Sequence, residues 1–265
     1  LLDDLVIIMV PQINPDGFSA EPRPKRGNAW GIDLNRDYIK LEQPEIAGYV
    51  ENVILRWAPH LFVDGHNGGS FPYNINYQCT SHAAADPRIT ELCDRELFPA
   101  IDANLAKSNY KSWYYQSGTA TRWNGGGSEA RIGRNYGGFA NTIGVLFESP
   151  SQEMSDGVKS GVIAYMTVAE FVKANAEKVM NVVQTARRET IEMGDAPRGE
   201  IVVQQRYGPE PRKVTYEIGV GRGEDRRIQR VTSDSLMKQP IPTKTRPRPY
   251  AYILPRDARD AVALL

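Results

Sequence analysis

The sequence is short of several features that would assign a class at once. Its longest strongly apolar run, Leu5 to Val10, falls far below the ~20 residues a membrane helix needs. The N-terminus has no charged-then-apolar layout of a signal peptide, so neither a membrane segment nor a targeting segment is visible. Charge of one sign is missing too: Lys+Arg and Asp+Glu both number 32, leaving no global basic field for a nucleic-acid backbone. Nucleic acid is thereby set aside as a partner. With only two cysteines, Cys79 and Cys93, a disulfide scaffold is excluded, and their spacing is not that of a metal site. One bridge or two semi-buried thiols both remain open. There is no Gly-x-Ser-x-Gly elbow and no Gly-Lys-Ser/Thr phosphate loop, and Gly125-Gly126-Gly127 runs into Ser128-Glu129 as a flexible loop.

What is present fits a folded α/β protein. The 265 residues are 41% hydrophobic and 24% charged, enough for one large domain, or one of about 190 residues with a small appendage. Leu5 to Val10 reads as a buried strand, followed by the turn sequence Asn14-Pro15-Asp16-Gly17, where Pro fixes φ and Gly permits a positive φ. Pro44 opens an amphipathic helix carrying Ile46, Tyr49, Val50, Val53, Ile54 and Trp57. His60 to Asp64 is a buried strand leading into Gly65-His66-Asn67-Gly68-Gly69. Asp86-Pro87 caps a second helix, a Gly-rich loop spans 117–138, and Ile143 to Phe147 is a third buried strand. A long helix is expected from about 157 to 193, stopped by Gly194.

From Asp195 onward the composition changes. Eight of the 18 prolines lie in the last 71 residues, which carry a net charge of +5. Glu200 to Val203 and Val214 to Ile218 read as short strands. The chain thus divides into an α/β region, 1–194, and a small β-rich module, 195–265. It opens on Leu1 directly into an apolar strand and closes, over Ala258 to Leu265, on an amphipathic helical pattern without a stop, as a piece of a longer protein would.

Polar residues cluster where the buried strands end, the position at which open α/β sheets place ligands. Asn14-Pro15-Asp16-Gly17, then Arg26, then Gly31-Ile32-Asp33-Leu34-Asn35-Arg36-Asp37-Tyr38, then a strand ending near His66, then Leu146-Phe147-Glu148 follow in that order. This ordered set resembles the carboxypeptidase A-type zinc peptidase family over roughly residues 5–150. The resemblance implies a mixed, mostly parallel sheet flanked by helices, one zinc ion, and hydrolysis of the C-terminal peptide bond of a substrate with a free carboxylate. It also implies an extracellular or periplasmic setting.

Residue by residue, the resemblance implies that Arg36, with Asn35 beside it, holds the substrate carboxylate, a task suited to the rigid bidentate guanidinium. His66 takes the position of a zinc ligand, Glu148 that of the general base and acid, and Arg26 that of the oxyanion-stabilising arginine. Arg23 competes with Arg26. Among Tyr114, Tyr115 and Tyr136, the last is preferred as the substrate-binding tyrosine, because it lies in a Gly-flanked loop close to the third strand. Asp33 is read as holding its loop and Asp64 as orienting the loop after it, although alternation along the strand points its side chain the same way as that of His66. His60 and His82 read as ordinary packed histidines.

The chain departs from the family at one point. The family takes two further zinc ligands from a His-x-x-Glu motif upstream of the Asn-Pro-Asp-Gly loop, and His60, His66 and His82 are followed three residues on by Val63, Gly69 and Ala85. The remaining ligands are therefore expected from an upstream segment, and the chain alone is expected to be inactive. Two rivals stand beside the peptidase reading: an amidohydrolase acting on acylated amino acids, and a metal-free binding module on the same fold.

Overall fold

Alternation along a strand sets which face each side chain takes, but only hydrogen bonding to neighbours makes the strand. The computed structural model describes residues 1–264 except Pro197 and Arg222. It begins with helix α1 (Pro15–Phe18), a 3-10 turn at Leu34–Arg36, and α2 (Pro44–Tyr49), which continues as a wider π-helical coil over Val50–Leu55. Then come β1 (Leu61–His66), β2 (Ile75–Cys79), α3 (Pro87–Leu92), α4 (Phe98–Ala106), β3 (Ser112–Tyr114), β4 (Gln116–Gly118), β5 (Trp123–Gly125), α5 (Gly133–Phe139) and β6 (Ile143–Glu148). Helices α6 (Met154–Ala174) and α7 (Ala176–Asp195) precede β7 (Glu200–Pro209), β8 (Val214–Val220), β9 (Arg227–Ser233), β10 (Leu236–Pro247) and α8 (Arg259–Leu264).

The fold is mixed α/β. The central sheet has the order β1-β6-β2-β3, with β1 parallel to β6, β2 antiparallel to β6 and β3 parallel to β2. Along β1, Leu61 and Val63 pack into the large core shared with α3, α4, α6 and α7. Phe62 points the other way, against Gly137 of α5. That second face carries a smaller cluster of Leu34, Tyr38, Ile46 and Val50. Asp64 and His66 share its side of the strand, so the loop 13–41 lies over the polar end of β1.

Asp86 caps α3 as its sequence position implies, its Oδ1 accepting from Arg88 N at 2.9 Å. The other elements include four corrections. Leu5 to Val10 forms no strand: it has no ladder partner among the described residues, and Val6 and Met9 are 82% and 80% exposed. An apolar run is a strand only where a neighbour takes its amides and another layer covers it. Gly17 lies inside the turn of α1 rather than at a positive φ. A Cβ there would meet Gly27 O at 2.6 Å and Lys25 O at 2.7 Å, so close backbone approach is what requires the glycine. The single long helix is two, broken at Asn175, whose side-chain amide donates back to Phe171 O at 2.9 Å and competes with the helical ladder. Gly194 sits within the last turn of α7 and does not stop it.

A second sheet, of order β4-β5-β10-β7, ties the Gly-rich stretch to the end of the chain. β10 runs parallel to β5 on one side and antiparallel to β7 on the other. Trp123 is fully buried there among Tyr73, Trp113 and Tyr216. Lys238 of β10 is buried, with Nζ 2.5 Å from both Asp94 Oδ2 and Glu210 Oε1. Arg212 donates to Glu210 at 2.8 Å and to the Tyr114 hydroxyl at 3.1 Å, which completes the network.

Cys79 on β2 and Cys93, just after α3, are buried free thiols with Sγ atoms 3.0 Å apart. Burial, with Cys79 beside it, pushes the Cys93 thiol well up. Neither thiol is expected to react with a thiol-specific reagent in the native state, and both are expected to react once the chain is unfolded. Rapid native labelling at neutral pH would contradict this burial.

Candidate active-site cleft

In the β1/β6 pairing His66 lies directly opposite Glu148, so both side chains emerge at the carboxyl end of the sheet on one face. Loop 13–41 closes on them. Asn14 caps α1 by accepting from Gly17 N at 3.0 Å and donates through Nδ2 to Arg26 O at 3.2 Å. This tether places Arg26 Nη1 3.1 Å from His66 Nδ1 and Arg26 Nη2 3.1 Å from Asp33 Oδ1. Asp33 also caps the 3-10 turn, accepting from Asn35 N at 3.0 Å.

Asn35 is the hinge-pin of the cluster. Its Nδ2 lies 3.0 Å from His66 Nε2 and donates to Asp64 Oδ2 at 3.1 Å, while its Oδ1 accepts from Gly133 N at 2.7 Å. His66 Nε2 is 2.8 Å from Asp64 Oδ1. Arginine can only donate, so Nδ1, which faces Arg26, is the accepting nitrogen of the ring, while Nε2 faces both the Asp64 carboxylate and the Asn35 amide.

The electrostatics follow from burial and neighbours. Burial pulls the His66 imidazole down, but Asp64 and Glu148 more than offset that and Arg26 only partly opposes them, so its pKa is raised. Glu148 is 7% exposed, and burial pushes its carboxyl up despite the nearby His66, Arg26 and Arg134. The Tyr115 hydroxyl lies against Glu148, and this phenol is itself raised by burial. Gly68 lets the loop pass: a Cβ there would sit 2.5 Å from Glu148 Oε2.

The structure brings Arg26, Asn35, His66 and Glu148 together at the carboxyl ends of β1 and β6. Arg36 stands at its margin, half-buried, donating to its neighbour's backbone at Asn35 O (2.7 Å) and 3.9 Å from Asp33 Oδ2. Arg23 is exposed. Tyr136 is not in a loop, as its glycine neighbours suggested, but on α5. There its ring lies 5.7 Å from that of Tyr38, tilted by 42°, and it packs like Tyr49 against the smaller cluster, because Gly137 lets the helix approach Phe62. The tyrosine beside Glu148 is Tyr115. Its signal was its place between the end of β3 and the start of β4, indistinguishable in sequence from Tyr114. Arg134 is the other residue that pattern reading passed over; it looked like one more charge in a polar loop, yet it is 2% exposed.

The zinc implied by the sequence resemblance does not fit the residues described. Among them there is no group of three His, Cys, Asp or Glu able to hold a metal, and His66 has both ring nitrogens engaged by Arg26 and Asp64. A metal at His66 would need donors that these residues do not supply.

No family model and no curated protein matches the chain. Among solved structures it is similar to a metallo-carboxypeptidase from Pseudomonas aeruginosa in complex with (2-guanidinoethylmercapto)succinic acid. The identity is 22% and the TM-score 0.46, over 64% of this chain and 46% of that one. It is also similar to a metallo-carboxypeptidase from Burkholderia cenocepacia, at 24% identity and a TM-score of 0.46, over 63% of this chain and 45% of that one. The chain spans less than half the length of each.

Proposed function

We propose that this chain forms the substrate-holding part of a carboxypeptidase, whose reaction removes the C-terminal residue of a peptide with a free carboxylate. The observation supporting it is the convergence of Arg26, Asn35, Asp64 and His66 on one contact network at the ends of β1 and β6, with Glu148 alongside. Arg36 and Asn35 are the carboxylate anchor, offering a guanidinium fork and an amide at the cleft margin. Arg26 supplies the cation over the scissile carbonyl as its oxygen becomes an anion. Glu148, whose carboxyl burial pushes up, takes a proton from the attacking water and returns it to the leaving amine. Zinc is part of this reading only with donors from outside the described residues, and no step above depends on its position.

A calorimetric comparison of free and amidated peptides tests the anchor without requiring turnover. Arg36→Ala is expected to weaken free-carboxylate peptides by roughly 10–100-fold, the range of a lost charged hydrogen bond, and to leave amidated ones less affected. Equal losses for both would remove Arg36 from the role.

A further inference from the structure

Arg134 is a buried charge that the carboxylate anchor and the proton shuttle leave unused, and unlike Lys238 it forms no ion pair among the described residues. It is the second residue of α5 and is 2% exposed. Its Nη2 donates to the Gly127 carbonyl, while its Nε is buried without any partner. The phenol of Tyr207 lies beside it, but among the described residues no carboxylate forms an ion pair with it. A guanidinium withdrawn from water without a direct ion-pair partner is expensive to keep. A fold retains one where an anion is to be delivered.

The position says which anion. Gly133, the residue before Arg134, donates to Asn35 Oδ1, and the same Asn35 touches His66 and Asp64. On its other side, Gly127 follows Gly126, whose amide donates to Gln78 Oε1 at 2.8 Å and to Tyr115 O at 3.2 Å, and Tyr115 lies against Glu148. Arg134 therefore stands one residue behind the carboxylate anchor and one loop away from the proton shuttle. With a peptide's main-chain carboxylate on Arg36 and its scissile bond at Glu148, the group left to face Arg134 is the side chain of the C-terminal residue. The other side chains bonded to the Gly126 and Gly127 carbonyls are polar and uncharged: Gln78, Ser81, Asn135 and Tyr207, with Gln78, Ser81 and Asn135 all buried.

We propose that Arg134 is the floor of the subsite for the C-terminal side chain and selects an acidic residue, aspartate or glutamate, there. This rests on the carboxypeptidase reading and names its substrate class. The two carboxylates of such a residue are then divided between two arginines: the main-chain one goes to the half-buried Arg36, the side-chain one to Arg134. On entering, the side-chain carboxylate replaces the Gly127 carbonyl on Nη2 and satisfies the orphaned Nε, a bidentate arrangement that the planar fork favours.

The test uses peptides that differ only at their last residue, Glu, Gln, Leu or Lys, read both by calorimetric affinity and, in protein competent for hydrolysis, by kcat/KM. The wild-type protein is expected to favour Glu over Gln by about 10–100-fold, the worth of a charge-assisted hydrogen bond in a buried site. In Arg134→Gln that ratio is expected to fall close to 1, and in Arg134→Lys to recover in part. Equal Glu and Gln values in the wild type would overturn the proposal without any variant having to fold. So would an Arg134→Gln effect that is the same for Glu and Leu peptides, which would make Arg134 a second anchor for the main-chain carboxylate. If free and amidated peptides bind alike, the carboxypeptidase reading itself has failed, an outcome distinct from both.

Discussion

Glu148→Gln is expected to cut peptide turnover by about 10²–10⁴-fold in protein competent for hydrolysis, with peptide affinity nearly unchanged. The amide is isosteric, so the close passage of Gly68 over Oε2 and the contact with Tyr115 survive. What is lost is the proton acceptor. The kcat and KM split decides the matter: a fall in affinity of similar size would mean that the carboxylate holds the substrate or the cleft's shape instead. Because Glu148 lies opposite His66 in the same strand pair, a purely structural role would also appear as a lowered melting temperature.

Lys238→Ala is expected to have the largest effect on stability. It strands Asp94 and Glu210, both within 2.5 Å of the ammonium, in a site where Lys238 is 7% exposed. Removing one member of a buried charge network costs roughly 3–5 kcal/mol, or about 10 °C in melting temperature for a chain of this size. Burial pushes the Glu210 carboxyl up, but Lys238 and Arg212 more than offset that and hold it below the usual glutamate value. A depressed carboxyl contributes stability that is complete above its unfolded value, about 4.3, and is lost as pH falls through the lower folded one. The gap between wild type and Lys238→Ala should therefore be widest near neutrality and narrow as pH drops below about 4. Denaturant melts at pH 7 and pH 3 measure it; an unchanged gap would mean that packing of the lysine stem, not its charge, is what stabilises β10.

The readings that held were local. Asp86 could be identified as a cap because a capping carboxylate needs only its own helix. The strands ending in His66 and Glu148 could be located because short apolar runs bounded by glycine and polar residues have few other uses. The readings that failed depended on partners distant in sequence. Leu5 to Val10 has the composition of a strand but no neighbour among the described residues to hydrogen-bond with. Tyr136 and Tyr115 exchanged environments because the Gly-rich stretch 117–138 folds into β4, β5 and α5 once β10 is there to receive it. Arg134 was invisible for the same reason: nothing in its neighbours' composition says that Tyr207, far along the chain, will close over it.

That closure also sets a timetable for the molecule as it is made. β5 finds its parallel partner at Leu236 and Met237, and the Tyr207 hydroxyl donates to Gly126 O and lies against Ser81 Oγ, each at 2.6 Å. A chain emerging from the ribosome has β1, β6 and the loop bearing Arg26 and Asn35 in hand long before either contact can form. Pairings of such long sequence separation are slow to nucleate, because the intervening chain must be drawn in first. The anchor for the peptide's main chain can thus assemble early. The Gly126–Gly127 loop over Arg134 stays unlocked until the final quarter of the chain arrives, so nascent or truncated forms would be expected to hold peptides before they can tell one C-terminal side chain from another.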